Sequence, residues 1–323
     1  MSGSLARSFS HRKRLMVKHI RSLSDIKLNN AWVTIGTFDG VHLGHQTILN
    51  SLRAGALEAH TPAVVLTFTP HPAIFFSKRE NVTTLTTPVE RAQLIGELGI
   101  DYIITVPFDT RMAQTPALDF ILLLKKRLGL SWLGIGEDFT LGKGRQGDIN
   151  YLRDLGEQYH YQLQVFPPVK YESQVISSSR IRAALSDGYV RLAMNLLGRP
   201  YSLSGEVIRG DGRGRTIGIP TANLLVDAEK LIPASGVYAC RAKVGENRYS
   251  AAVNIGIRPT FDGAHSARWI EAHLLNFSDD LYGKNISLEF FEFLRGEQRF
   301  MGASELIEQI QKDIQRIKNI VSV

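Results

Sequence analysis

At 323 residues, 44% of them hydrophobic and 21% charged, the chain has the length of two domains, each able to bury a core of its own. Its longest apolar cluster, residues 120–124, is far short of a membrane span, and a single cysteine, Cys240, excludes an internal disulfide and a cysteine zinc centre, which fits a reducing, cytoplasmic setting. The net charge of +7 does not mark a nucleic-acid surface, because Arg7, Arg12, Lys13, Arg14, Lys18 and Arg21 all fall in an acid-free start and the rest is close to neutral.

That serine-rich, basic start lacks the apolar stretch of a secretory signal, and a tail or a start ahead of Met16 is preferred to a targeting segment. Short apolar runs at 31–36, 63–68, 102–108, 132–138 and 162–166 then alternate with amphipathic stretches at 43–59, 88–98, 116–128 and 151–159. Strands separated by crossover helices predict a doubly wound parallel α/β sheet, with ligands beyond the carboxyl ends of its strands. A helical connector is expected within 187–200. After it the spacing shortens: 202–209, 222–226, 236–244, 248–255, 269–277 and 286–294 read as strands, and 304–320 as a helix. This predicts a small β-barrel with a C-terminal helix, and domains at 17–184 and 185–323. Cys240, inside VYAC, reads as a core residue.

The stretch GTFDGVHLGH, residues 36–45, places glycines at a strand-to-helix turn, where backbone amides can face an anion at the helix N-terminus. His42 and His45 are three apart and project to one side, and Gly44 between them leaves room for a phosphate. Zinc is a poor alternative, since no partner motif accompanies the pair. Gly136 to Lys143 imitates a phosphate loop but has one residue too many, and Gly144 where a hydroxyl should stand. The GDGRGR of 210–215 lacks dinucleotide spacing and suits a loop over phosphates.

GTFDGVHLGH resembles the HxGH signature of nucleotidyltransferases. Together with TFTPHP (67–72), GEDF (136–139) and ISSSRIR (176–182) it is similar to the adenylyltransferase half of bacterial bifunctional riboflavin kinase/FAD synthetases. GRTIGIPTAN (214–223), GVY (236–238), NIGIRPTF (254–261), EAH (271–273), DLYG (280–283) and LR (294–295) resemble the kinase half, in order. The family commonly has Phe at the positions of Leu141 and Ile219, and Thr at that of Ser179.

The resemblance implies phosphorylation of riboflavin to FMN and adenylyl transfer from ATP to FMN, giving FAD and pyrophosphate; the alternative is that only one activity is retained. It implies His42, His45 and Arg182 as the groups serving adenylyl transfer. Gly36, Phe38, Asp39, Gly44, Phe68, His71, Asp138, Ser177, Ser178 and Ser179 would lie around nucleotide and flavin. In the kinase half it implies Glu271 as the base and Thr221 with Asn223 as Mg2+ partners. Gly210, Arg213 and Gly214 would form the phosphate loop, and Arg295 would close on the ligand. The expected partners are riboflavin, FMN and ATP, with no nucleic acid or membrane, in a monomer or weak homo-oligomer.

Overall fold

The computed structural model describes residues 17–77, 83–210, 214, 218–258 and 267–321, which fall into two compact units. Segments up to Thr37, Gln46–Phe76 and Pro88–Pro167 form the first; Phe38–His45, Ser77–Thr87 and Pro168–Val323 form the second.

The first unit is built on a six-stranded parallel sheet of β1 (Lys18–Ile20), β2 (Trp32–Ile35), β3 (Ala63–Thr69), β4 (Tyr102–Pro107), β5 (Trp132–Gly136) and β6 (Gln162–Phe166), in the order β1-β4-β3-β2-β5-β6. The central strands carry near-continuous apolar runs, as a parallel sheet covered on both faces requires; the first six residues of β3 are all buried. Crossovers come from α1 (Leu43–Glu58), α2 (Pro72–Phe76), α3 (Pro88–Glu97), α4 (Thr110–Ala113), α5 (Ala117–Leu128) and α6 (Ile149–Tyr159). Phe120, Ile121, Leu124 and Leu128 of α5 pack with Val33, Leu66, Ile104 and Leu133 of the sheet. Trp32 and Trp132, paired in register on β2 and β5, stack with centroids 4.6 Å apart, and a Cβ on Gly55 or Gly134 would overlap one of these rings.

In the second unit a hairpin, β7 (Lys170–Tyr171) with β8 (Gln174–Val175), leads into α7 (Ser178–Ser186) and α8 (Val190–Leu197). A closed antiparallel barrel follows: β9 (Tyr201–Ile208), β10 (Ala222–Val226), β11 (Gly236–Val244), β12 (Asn247–Arg258), β13 (Ala267–Leu274) and β14 (Asn285–Arg295), in the order β10-β13-β12-β11-β14-β9. The C-terminal helix α9 (Ala303–Ile320) packs Ile317 against Val237, Ala239 and Leu294. The barrel core continues into α7 and α8, so that Ile181, Leu185, Leu196 and Leu197 share it with Tyr238, Val253 and Phe290. Position 184/185 therefore lies inside α7, within that core. Cys240 is wholly buried, and burial pushes its thiol up well above its ordinary pKa.

The predicted parallel sheet and barrel are both present, and strand limits agree to within a few residues. β1, α2, α4 and the β7–β8 hairpin had no sequence expectation. β1 is a three-residue edge strand inside the basic start, and the hairpin strands have two residues each, too short for any periodicity to register.

Candidate active sites

The first site is assembled around a strained turn. The Gly36 N–H donates to the Leu66 carbonyl (3.1 Å), and the chain then takes φ of +48° at Phe38, +82° at Gly40 and +42° at Val41. Glycine accepts such angles freely, whereas a β-branched residue does so only when its surroundings over-determine it. The surroundings here are extensive. Asp39 has no exposed surface, and its carboxylate accepts from the Leu85 N–H (2.9 and 3.1 Å), the Thr86 N–H (3.0 Å), the Thr86 hydroxyl (3.2 Å) and Arg182 Nη1 (2.7 Å). The Gly40 N–H donates to Thr86 Oγ1 (3.1 Å), and Ser178 Oγ donates to the Asp39 carbonyl (2.9 Å). Arg199 donates from Nη2 to the Gly40 carbonyl (2.7 Å) and from Nη1 to the Val41 carbonyl (3.2 Å). A Cβ on Gly40 would stand 2.7 Å from Leu85 Cδ1, so the turn also needs glycine for close packing.

At the end of the turn the His42 and His45 rings stack, centroids 3.6 Å apart, with the Phe38 ring edge-on to His45. The His45 N–H donates to His42 Nδ1 (3.3 Å), so a neutral His42 carries its proton on Nε2. The space opened by Gly44 is taken by the His42 imidazole, whose atoms lie 3.1–3.2 Å from where a Cβ would sit. That differs from the expected opening for phosphate: the glycine lets the ring lie against the helix backbone.

The three serines divide their work. Ser177 caps α7 by accepting from the Arg180 N–H, Ser178 holds the turn, and Ser179 accepts from Arg182 Nη2 (3.2 Å). Arg180 reaches back to the Tyr171 and Gln174 carbonyls and fixes the hairpin to α7. Arg182 is thus held between Asp39 and Ser179.

The remaining residues expected near nucleotide and flavin lie in the first unit. Phe68, buried near the end of β3, meets Phe108 edge-on, and Phe75 and Phe76 of α2 pack on Phe108 in the same manner. Phe76 is 66% exposed, an aromatic face turned to solvent. His71 Nδ1 accepts from the Ala73 N–H, and Asp138 is exposed in the turn after β5. Sequence reasoning found Phe68 but passed over Phe75, Phe76 and Phe108. Adjacent aromatics on so short a helix have no period to reveal them.

The second site lies on the barrel strands. Asn223 on β10 pairs in register with Glu271 on β13, which pairs in turn with Asn254 on β12. Directly opposed residues share a face, so the two amides flank the carboxylate, with neighbouring Cβ atoms about 5 Å apart. Trp269 Nε1 donates to Glu271 Oε1 (2.8 Å) and sets the carboxylate's orientation. His273, two residues on, bonds through Nδ1 to the Pro220 carbonyl (2.8 Å) and ties down the chain entering β10. Asn254 comes beside Glu271 only through strand register, whereas Trp269, two residues before Glu271 on the same strand, shares its face by the period of two and was passed over.

Gly210 and Gly214 press on this row. A Cβ on Gly210 would meet the Asn223 amide at 2.0 Å, and one on Gly214 the Ile219 carbonyl at 2.2 Å and Thr221 Oγ1 at 3.4 Å. Arg213 lies outside the described residues. Asn223 is 5% exposed, and its buried Oδ1 has no hydrogen-bond partner among the described residues. A hard neutral oxygen left in that state fits a cation that favours oxygen ligands. Among the described residues no cluster of three or more His, Cys, Asp or Glu side chains could hold a metal on its own. Arg295, at the end of β14, is committed to Asp313 of α9 through Nε and Nη2 (2.9 Å each), a carboxylate 2% exposed.

Comparison with known proteins follows the same division. Residues 25–180 match the family described as FAD synthetase, and residues 197–321 the family described as riboflavin kinase. The chain is 37% identical over 300 residues to the bifunctional riboflavin kinase/FMN adenylyltransferase of Escherichia coli (strain K12), covering 92% of this chain and 95% of that protein. The chain belongs to the bifunctional riboflavin kinase/FMN adenylyltransferase family. The member from Bacillus subtilis (strain 168) is 36% identical over 305 residues, covering 94% of this chain and 96% of its own. A solved structure titled as a macrolide-efflux protein from Streptococcus pneumoniae superposes with a TM-score of 0.87 at 29% identity, covering 94% of this chain and 99% of that one. Within the described residues of the present chain no helix is long and apolar enough to cross a membrane.

Proposed function

We propose that the chain phosphorylates riboflavin to FMN on the barrel and transfers the adenylyl group of a second ATP to that FMN at the HxGH turn, releasing pyrophosphate. The observation that carries this is the presence, in one chain, of two family matches in tandem, one for each activity.

For the kinase step, Glu271 accepts the proton of the riboflavin hydroxyl as that oxygen attacks the γ-phosphorus, with Trp269 holding the carboxylate in place. Thr221 and Asn223 would hold Mg2+, and the cation, when bound, neutralises charge on the phosphates. The glycines at 210 and 214 let the loop backbone lie against these side chains. Arg295, held by Asp313, contributes positive charge at the same end of the barrel.

Adenylyl transfer asks for no nucleophile from the protein, since the FMN phosphate attacks the α-phosphorus. The protein supplies alignment and hydrogen-bond donors to a crowded anionic centre. His42 and His45 donate there, and Arg182, aimed by Asp39 and Ser179, faces the leaving pyrophosphate. The setting is cytoplasmic, with a monomeric or weakly associated chain and neither nucleic acid nor membrane as partner.

The test is an incubation of the purified chain with riboflavin, ATP and magnesium, read by chromatography. Successive FMN and FAD are expected. FMN that never proceeds, or FAD made only from supplied FMN, reduces the chain to a single activity.

A further inference from the structure

The turn that leads into His42 is gripped by a residue from the other family's segment. Arg199 lies outside the residues matching the FAD synthetase family and inside those matching the riboflavin kinase family. It stands between α8 and the first barrel strand, and donates to the carbonyls of Gly40 and Val41 and, from Nη1, to its near neighbour Leu197 (3.4 Å). Leu197 in turn packs on Gly40, 3.4 Å from where a Cβ would stand.

The two carbonyls matter because of peptide planarity. The Val41 carbonyl and the His42 N–H belong to one rigid plane, as do the Gly40 carbonyl and the Val41 N–H. Fixing those two oxygens fixes the direction in which the chain enters α1, and with it the placement of His42 and His45. Val41 is buried, at 1% exposure, and holds φ of +42°, a conformation it abandons unless something secures it. One planar guanidinium fork spans both carbonyls, a geometry that lysine's single ammonium cannot reproduce.

We infer that Arg199 is a positioning residue for adenylyl transfer, supplied by the kinase-family segment, so that the adenylyltransferase half depends on the kinase half for the shape of its phosphate turn. Arg199 touches no reacting atom in this account; it acts through the turn. The inference rests on the reading of the HxGH turn as the adenylyl-transfer site.

The experiment compares the full-length wild type with Arg199→Ala and Arg199→Lys, measuring FMN to FAD and riboflavin to FMN separately. Misplacement of groups around the α-phosphorus by a fraction of an ångström to an ångström costs up to about 100-fold, so Arg199→Ala should lower kcat for FAD formation by about 10- to 100-fold. The KM values for FMN and ATP should move far less, and riboflavin phosphorylation should stay near wild type. Arg199→Lys should recover part of the lost kcat. Wild-type kcat for FAD formation in Arg199→Ala overturns the inference, and so does a parallel fall of both activities and of Tm in the two variants. If the alanine variant does not fold, the lysine variant decides, by whether its adenylyl transfer falls relative to its own kinase rate. A wild type that makes no FAD from FMN overturns the underlying reading instead, before any variant is compared.

Discussion

The two candidate sites reach rigidity by opposite routes. On the barrel, Asn223, Glu271 and Asn254 stand in one row because strand register places them there, and each neighbour is held by the ladder whatever its side chain does. In the HxGH turn nothing regular holds the chain. Its left-handed residues are kept in place by Leu85, Thr86, Ser178, Arg182 and Arg199, brought from far along the sequence. The barrel site is therefore local to its sheet and tolerant, and the turn is a convergence point sensitive to distant change.

The comparison is tested most severely by paired substitutions. His45→Ala should lower FAD formation from FMN by about 10²–10³, the usual cost of one donor to a developing phosphate or oxyanion charge, with FMN still accumulating from riboflavin. Glu271→Gln keeps shape and the bond from Trp269 but not basicity, and should lower FMN formation by about 10²–10⁴ while supplied FMN still becomes FAD. Product assays on both variants check the division; either substitution abolishing both activities in a folded protein would break it.

A smaller effect separates metal from base. Asn223→Ala removes the buried oxygen that has no hydrogen-bond partner among the described residues, and should weaken Mg-ATP binding by roughly tenfold, with rescue on raising magnesium. Titrating magnesium against the initial rate shows this, and Glu271→Gln should give no such rescue.

The smallest effect concerns the shared core. A fragment of residues 168–323 keeps Ile176, Ile181 and Ala184, whereas one of residues 185–323 cuts α7 and loses them. Burying an isoleucine contributes about 1.5–3 kcal/mol, and in a unit of this size 1 kcal/mol moves Tm by roughly 4 °C, so the longer fragment should melt on the order of 10 °C higher. Both should phosphorylate riboflavin if they fold. Equal melting temperatures would mean that α7 adds nothing to the barrel.

Legibility in the sequence tracks the same contrast. Periodicity and spacing gave the five main parallel strands, and six barrel strands in order, because a buried parallel strand is a continuous apolar run and the barrel strands are closely spaced. Asn223 and Glu271 stand in sequence motifs, but Asn254 as a neighbour of Glu271 was not legible, since register is a property of pairing rather than of either strand; Trp269 was within reach of the alternation, two residues before Glu271 on one strand. The clamp on the turn left no trace in sequence: Asp39 and Leu85 are 46 positions apart and Gly40 and Arg199 are 159 apart, each pair a single contact without pattern. Asp39 was expected near the nucleotide, and in the fold every partner of its carboxylate named above is a protein group. Arg295 was likewise expected to close on the ligand, and its buried partner Asp313 sits on a helix whose other residues are ordinary amphipathic ones.

The three tryptophans are distributed as if for spectroscopy. Trp32 and Trp132, stacked within 11° of parallel, form a coupled chromophore pair inside the sheet, and Trp269 is alone on the barrel with its indole N–H on the Glu271 carboxylate. Close, nearly parallel indoles couple their ultraviolet transitions, so any circular-dichroism signal of this pair should be lost when β2 and β5 part. The emission of Trp269, in contrast, reports the charge and hydration of Glu271. Dichroism thus follows the sheet, and emission in a chain with Trp32 and Trp132 replaced by Phe follows the surroundings of Glu271 on the barrel.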